Sequence, residues 1–301
     1  MDLTKYQVFL KTVECGSFTA AAQQLSFTQS GVSHLIKTIE DEFGFPVLIR
    51  GKGGVRLTEN GRALLPAIRE ILNANDHMDQ IVANIRGMSF GRLRIGTFAS
   101  ASVLWLPKII EEFSHDYPGI QIEIIVGGND SLISQLDESC IDFAIMSNPP
   151  QGYEWIHLAS DRMLVLLPPG HRLVDKDRVT LDEIDDDPFI LSNEGFDYDV
   201  SQIIKGSGIT PRLSFSTMEN RGIIAMIQHG LGVTVMPEMV LDSLESNVIT
   251  KELAPCEYRH MGIIVKSVHT ASLAAKTFIS YAKRIISELG TYPPIDGELN
   301  A

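Results

Sequence analysis

Gln29, Ser30, Ser33, His34 and Lys37 fall on one side of the stretch from Gln29 to about Phe43. They are short hydrogen bonders and mild bases, with no carboxylate among them before Glu40. At helical spacing such a set presents donors and acceptors in a row. That suits recognition of base edges in a major groove, where each base pair carries its own donor and acceptor pattern. A second group, Arg50, Lys52 and Arg56, is gathered in one short segment, and such a patch can meet phosphates. Bond-making chemistry is hard to find. No HExxH or P-loop Gly-Lys-Ser/Thr occurs, and the eight histidines show no ligand-like spacing. Asp185-Asp186-Asp187 reads as a solvated run before Pro188, so no catalytic residue, metal site or cofactor is expected.

The elements that must position the first two groups follow from periodicity. Phe18, Ala21, Ala22 and Leu25 form the inner face of a helix over Phe18–Leu25. Ser26-Phe27-Thr28 breaks it, and Thr28 can cap the next helix. Val32, Leu35, Ile36, Ile39 and Phe43 give that helix an apolar stripe opposite the polar side. Ala20, Ala21, Ala22 and Gly31 let the pair approach closely, and Leu3 to Val13 reads as a buttressing helix. After Gly44-Phe45-Pro46, residues 47–50 read as a strand, Gly51–Gly54 as a tight turn and 55–57 as the returning strand. That is a basic wing. The pattern alone leaves open an amphipathic helix pair in an unrelated core beside a plain solvated hairpin.

Thr58 can cap a long helix from Glu59 to about Arg86, with Pro66 expected to bend its first turns. Leu64, Ile68, Ile71, Asn75, Met78, Val82 and Ile85 follow one another at alternating steps of four and three, a coiled-coil seam with a polar residue for register. Such a helix is marginal alone, so it needs either a partner or its own domain to pack on. Gly87 to Gly91 reads as a hinge. Beyond it, strands such as Leu93–Thr97, Ile120–Val126 and Phe143–Met146 alternate with helices such as Val103–His115, an α/β pattern with mostly parallel sheets.

Several of these residues carry a resemblance. Phe9, Val13, Gly16 to Ala22 and Leu25 match its first half. Thr28-Gln29-Ser30, Val32-Ser33, Ile36, Glu40, Gly44, Pro46, Arg50 and Val55 to Gly61 match the rest. Together they are similar to the N-terminal winged helix-turn-helix of LysR-type transcriptional regulators, with the helix-turn-helix at about 18–37. His34 stands where that family most often has Arg, which bears on base preference rather than docking. Leu48-Ile49 replaces the usual Leu-Phe.

The resemblance implies an all-α winged helix-turn-helix at 1–58, a linker helix and hinge at 59–88, and a two-lobed, periplasmic-binding-protein-like α/β regulatory domain at 89–301. It places sub-domain I at about 89–160 and 266–290 and sub-domain II at about 161–265, with crossings near Ser160 and His260. It also implies a homodimer through the linker helix, assembling to a homotetramer, on double-stranded DNA. In open α/β sheets ligands bind beyond the carboxyl ends of strands. The candidates there are Thr97, Ser100, Ala101, Ser102, Gly128, Asn129, Asn148, Glu194 and Asn220. Several precede helix N-termini, whose free amides favour an anion, so a small organic anion is the expected effector.

Composition is compatible with this. The net charge of −13 lies entirely outside residues 1–60, which balance to zero, so acidity belongs to the regulatory part and not to the DNA-binding part. Cys15, Cys140 and Cys256 form no CxxC, no apolar run spans a membrane and no signal peptide opens the chain, so a reduced cytoplasm is expected. A two-lobed solute-binding protein would account for residues 91–301 but not for residues 1–60. An α/β enzyme fused to a DNA-binding module is the third reading.

Overall fold

The computed structural model describes residues 3–51, 54–85, 90–148, 151–192, 198–217, 219–244 and 248–292; at 80, 83–85, 192 and 198 it describes the backbone only. Contacts divide the chain into two compact units, Met1–Met88 with Asp137–Cys140, and Ser89–Leu136 with Ile141–Ala301. No helix among the described residues is long and apolar enough to cross a membrane.

The first unit begins with α1 (Thr4–Cys15), α2 (Phe18–Leu25) and α3 (Gln29–Phe43). Side-chain caps fix both later starts: Ser17 Oγ accepts from Ala20 N–H and Thr28 Oγ1 from Gly31 N–H. Val8, Phe9, Phe18, Val32, Ile36 and Ile39 bury one core among the three helices. The wing is β1 (Leu48–Gly51) and β2 (Gly54–Leu57), antiparallel with Leu48 opposite Leu57 and Arg50 opposite Val55. Glu40 ties it to α3, its Oε1 accepting from Val47 N–H at 2.9 Å and Leu48 N–H at 3.3 Å. Helix α4 (Glu59–Ile85) then packs against the wing so tightly that a Cβ at Gly61 would lie 2.1 Å from the Val47 carbonyl. Only glycine fits there.

Helix α4 runs on through Pro66, which leaves the Arg62 carbonyl without its helical donor. The seam starts later than expected. Ile68 is 2 % exposed, and with Leu65 and Leu72 it belongs to the unit's own core, which Leu64 also touches. Ile71, Met78, Ile81 and Val82 remain exposed beyond it. The first turns of α4 are consumed by packing on the helix-turn-helix, and the side chain of Ile85 lies outside the described residues.

The second unit contains β3 (Gly91–Thr97), α5 (Ala99–Leu104), α6 (Leu106–Asp116), β4 (Ile120–Val126), α7 (Asn129–Asp137), β5 (Phe143–Ser147) and β6 (Glu154–Leu167). There follow β7 (Arg178–Thr180), β8 (Pro188–Ser192), α8 (Tyr198–Ser207), β9 (Arg212–Thr217), α9 (Asn220–Gln228) and β10 (Thr234–Pro237). The chain then forms α10 (Glu238–Asp242), β11 (Ile249–Ala254), β12 (Tyr258–Val265) and α11 (Leu273–Leu289). The main sheet runs β4-β3-β5-β12-β6-β11-β7, with β10 also on β6.

The sheet is mixed rather than mostly parallel. β3 runs parallel to β4 and β5, but β12 is antiparallel to both β5 and β6. The reason is the long strand β6. Its first part, to Arg162, pairs with β12, and its last part, from Met163, pairs with β10 and β11. One strand therefore serves both lobes. The lobe of β3, β4 and β5 buries Trp105, Phe113, Phe143 and Phe278 beneath α6 and α11, with Phe113 and Phe278 edge-on at 5.1 Å. The other lobe buries Val165, Phe189, Val233 and Val235 on one side and Leu166, Ile190, Ile223 and Ile227 on the other. The helix expected over Val103–His115 is two, split at buried Trp105, because Pro107 opens a new helix at its first turn.

Candidate nucleic-acid interface and effector cleft

In the first unit α3 turns Val32, Ile36 and Ile39 inward, which leaves Gln29, Ser30, His34 and Lys37 exposed on the opposite face. Ser30 Oγ lies 3.1 Å from Thr28 Oγ1, within the cap itself. Ser33 is half-buried and already engaged: Arg50 Nη2 donates to its Oγ at 2.7 Å. The Arg50 guanidinium also lies 4.0 Å from the centre of the Phe18 ring. Arg50 and Ser33, read from the sequence as a phosphate contact and a base contact, are thus one assembly with Phe18 as its floor. Arg56 is exposed on β2, opposite Ile49. Lys52 lies outside the described residues. The role of Phe18 was not legible, since its helical spacing marks it only as core.

In the second unit Thr97 ends β3, fully buried, and its Oγ1 donates to the Phe98 carbonyl at 3.3 Å. Ser100 and Ala101 are buried inside α5, and Ser102 Oγ donates to the Ala99 carbonyl at 2.6 Å. Gly128 immediately precedes α7. Asn129 Nδ2 donates to the Ser147 carbonyl at 2.9 Å. Asn148, held at φ 54°, donates from Nδ2 to Asp199 Oδ1 at 2.6 Å, while Ser147 Oγ donates to Asp199 Oδ2 at 3.0 Å. Asn220 opens α9 and shares the lining of a cavity of about 40 Å³ with Asp199, Thr234 and Arg259. Glu194 lies outside the described residues. The candidates therefore gather into three sets: the end of β3 with α5, the Asn129–Asn148 set around Asp199, and Asn220 beside Arg259.

Arg259 was not among the expected residues, and it changes the chemistry of the cleft. Helix α5 has only six residues, too short to hold an anion by its N-terminus alone. A full cation, the Arg259 guanidinium, stands over Phe98, the residue just before this helix. Arg259 is 6 % exposed and donates from Nη2 to Asp161 Oδ2 at 2.5 Å, with its guanidinium 4.8 Å from the centre of the Phe98 ring. Asp161 Oδ1 accepts from Met239 N–H at 3.1 Å. Burial pushes the Asp161 carboxyl above the ordinary carboxylate range, against the downward pull of Arg259. Arg259 stands between Tyr258 and His260 at the polar end of β12, which in the sequence is easily taken for a surface position.

A larger cavity, about 590 Å³, lies beside α8 and β11. Its described lining includes Asp182, Asp199 and Glu257 and no lysine or arginine. Its volume suits a ligand, but its charge opposes an anion. Among the described residues no cluster of histidine, cysteine and carboxylate side chains has the geometry of a metal site.

Residues 3–62 match the family described as bacterial regulatory helix-turn-helix protein, lysR family, and residues 86–286 match the LysR substrate binding domain. The Bacillus subtilis (strain 168) protein YvbU, an uncharacterized HTH-type transcriptional regulator, is 36% identical over 95% of this chain and 99% of its own. Full-length OxyR C199D from Pseudomonas aeruginosa superimposes with a TM-score of 0.75 at 22% identity, over 95% of this chain and 94% of that one. CbnR, solved in complex with its target DNA, has a TM-score of 0.66 at 18% identity, over 94% and 99%. The relatives are regulators of transcription, not enzymes. With both of its parts matched and its polar α3 face laid open, the chain belongs to the LysR family of DNA-binding transcriptional regulators, whose second domain takes a small-molecule effector.

Proposed function

We propose that α3 enters the major groove and reads base edges through Gln29, Ser30, Ser33, His34 and Lys37, with Arg50, Lys52 and Arg56 facing the DNA backbone. The observation that carries this is the exposure of Gln29, Ser30, His34 and Lys37 opposite the buried Val32, Ile36 and Ile39. Exposed apolar residues Ile71, Met78 and Val82 along α4 support a homodimer through that helix, which pairs two half-sites and assembles further to a tetramer. The effector is an organic anion held at Thr97, Ser100, Ala101, Ser102, Gly128, Asn129, Asn148, Glu194 and Asn220, and the protein acts in the cytoplasm. Arg259 beside Asn220 supports the choice of an anion.

The test is a duplex selected by the full chain from a random pool, bound in parallel to a scrambled duplex. The variant Gln29→Ala/His34→Ala keeps the core intact and should lose most of the preference between the two. Undiminished preference would take α3 out of the groove.

A further inference from the structure

We propose that Arg259 is the counter-charge for the anionic effector, and that the anion acts by taking the guanidinium away from Asp161. This rests on the effector reading above and names the ligand group and the residues that sense it.

Two polar atoms in the cleft are buried without a partner among the described residues, Arg259 Nε and Ser100 Oγ. Both residues are more than nine-tenths buried, at 6 % and 3 % exposure. An N–H and a hydroxyl left unpaired in the interior are costly unless a further group completes them. Both can donate, and a guanidinium has five donors, so an acceptor with at least two oxygens fits and an ammonium does not. Phe98 links the two: its ring lies under the Arg259 guanidinium, and it stands two residues before Ser100. On the proposal, one carboxylate or other oxoanion accepts from both.

The place of the pair gives the ligand a consequence. Arg259 and Asp161 face each other in register on β12 and β6. Asp161 is fully buried, and its other oxygen holds the first turn of α10 through Met239 N–H. Met239 is in the core of one lobe, and Val240 and Leu241 are in the core of the other. A second anion at Arg259 competes with Asp161 for one cation in a low-dielectric site. Burial already raises the Asp161 carboxyl, so Asp161 is the weaker holder of negative charge. What Asp161 loses is passed to α10 and to the strand that both lobes share. A ligand that binds one arrangement better than the other shifts the balance between them by that difference.

The experiment uses the full chain with the sodium salts of acetate, benzoate, oxalate, phosphate and sulfate, each against chloride at matched ionic strength. Thermal shift and titration are the readouts. At least one oxoanion should stabilise the wild type. Asp161→Asn removes the competitor and should bind that anion more tightly, by roughly tenfold or more. Asp161→Asn/Arg259→Gln removes both charges while keeping shape, should fold, and should lose the shift. A shift that persists in the double variant overturns the proposal, as does weaker binding in Asp161→Asn, or silence of both wild type and Asp161→Asn across the panel. Ser100→Ala/Asn220→Ala separates this from the wider reading. If the anion shift survives in Asp161→Asn/Arg259→Gln but is lost in that variant, the cleft stands and the counter-charge falls.

Discussion

Arg50 donates to the hydroxyl of Ser33 at 2.7 Å while its guanidinium plane rests 4.0 Å from the centre of the Phe18 ring. The wing and α3 are therefore joined at the surface proposed to face DNA. Because Ser33 accepts from Arg50, its own hydrogen is the part left for a base, so it can donate to an acceptor such as guanine O6 or N7.

Arg50→Lys keeps the charge but not the planar stack and fork, so it should not behave as a conservative change. Stacking and hydrogen bond together are worth about 1 kcal/mol at so exposed a site, or roughly fivefold in affinity for a selected duplex. Ser33→Ala combined with Arg50→Lys should cost less than the sum of the two. Fluorescence anisotropy on the four proteins measures the coupling, and strict additivity would show that the two residues act separately.

Arg56 is exposed on β2 of the wing, and His34 is exposed on α3. Arg56→Ala should weaken all duplexes alike and reduce the slope of log affinity against log salt by about 0.9. His34→Arg should instead alter preference at one base pair by ~1–3 kcal/mol. Salt titrations and a panel of single-base variants distinguish the two. A change of preference in Arg56→Ala with none in His34→Arg would reverse the assignment.

Met78 is 52% exposed on α4, whereas Ile68 is 2% exposed in the core of its own unit. Met78→Asp should therefore leave the helix-turn-helix folded and break self-association, because a charge would be buried in an apolar contact at a cost of several kcal/mol. Ile68→Asp should unfold the unit instead. Sedimentation with circular dichroism reads both. A Met78→Asp protein that stays dimeric and binds DNA normally would remove this stripe from the main interface.

Burial, and next the His260 ring with its centre 6.0 Å away, holds the His157 imidazole below its ordinary range. Neither ring nitrogen of His157 has a partner among the described residues. The unfolded group titrates near 6.5 and the folded one lower, so the stability it contributes is complete above about pH 6.5. That stability is lost as pH falls through the depressed folded value. Melting temperatures between about pH 8 and about pH 5 should drop less steeply for His157→Gln than for the wild type. Parallel curves would contradict this.

Residue types and spacing determined the recognition helix, its cap and its polar face on their own. Thr28 could only cap, and the Val32, Ile36, Ile39 stripe could only turn inward, so the face of Gln29, His34 and Lys37 was fixed by periodicity. The wing followed from turn residues between short apolar runs. Periodicity fails where one pattern serves two contacts. Along α4 the apolar residues form two adjacent stripes, and only packing decides that Leu65, Ile68 and Leu72 belong to the core while Ile71, Met78 and Val82 do not.

The first half of β6 was not read as a strand, since Glu154 to Ser160 mixes charge, aromatic and polar residues without clean alternation. Missing it hid the strand that both lobes share. It also hid the register that sets Ser160 opposite His260, with Oγ and Nδ1 at 3.0 Å, and Asp161 opposite Arg259. Those partners stand about a hundred residues apart in the chain. Local sequence carries propensity and periodicity, but register across such a distance is a product of the closed sheet. For the same reason nothing in the sequence marks Arg259 as buried, and only the fold sets it over Phe98.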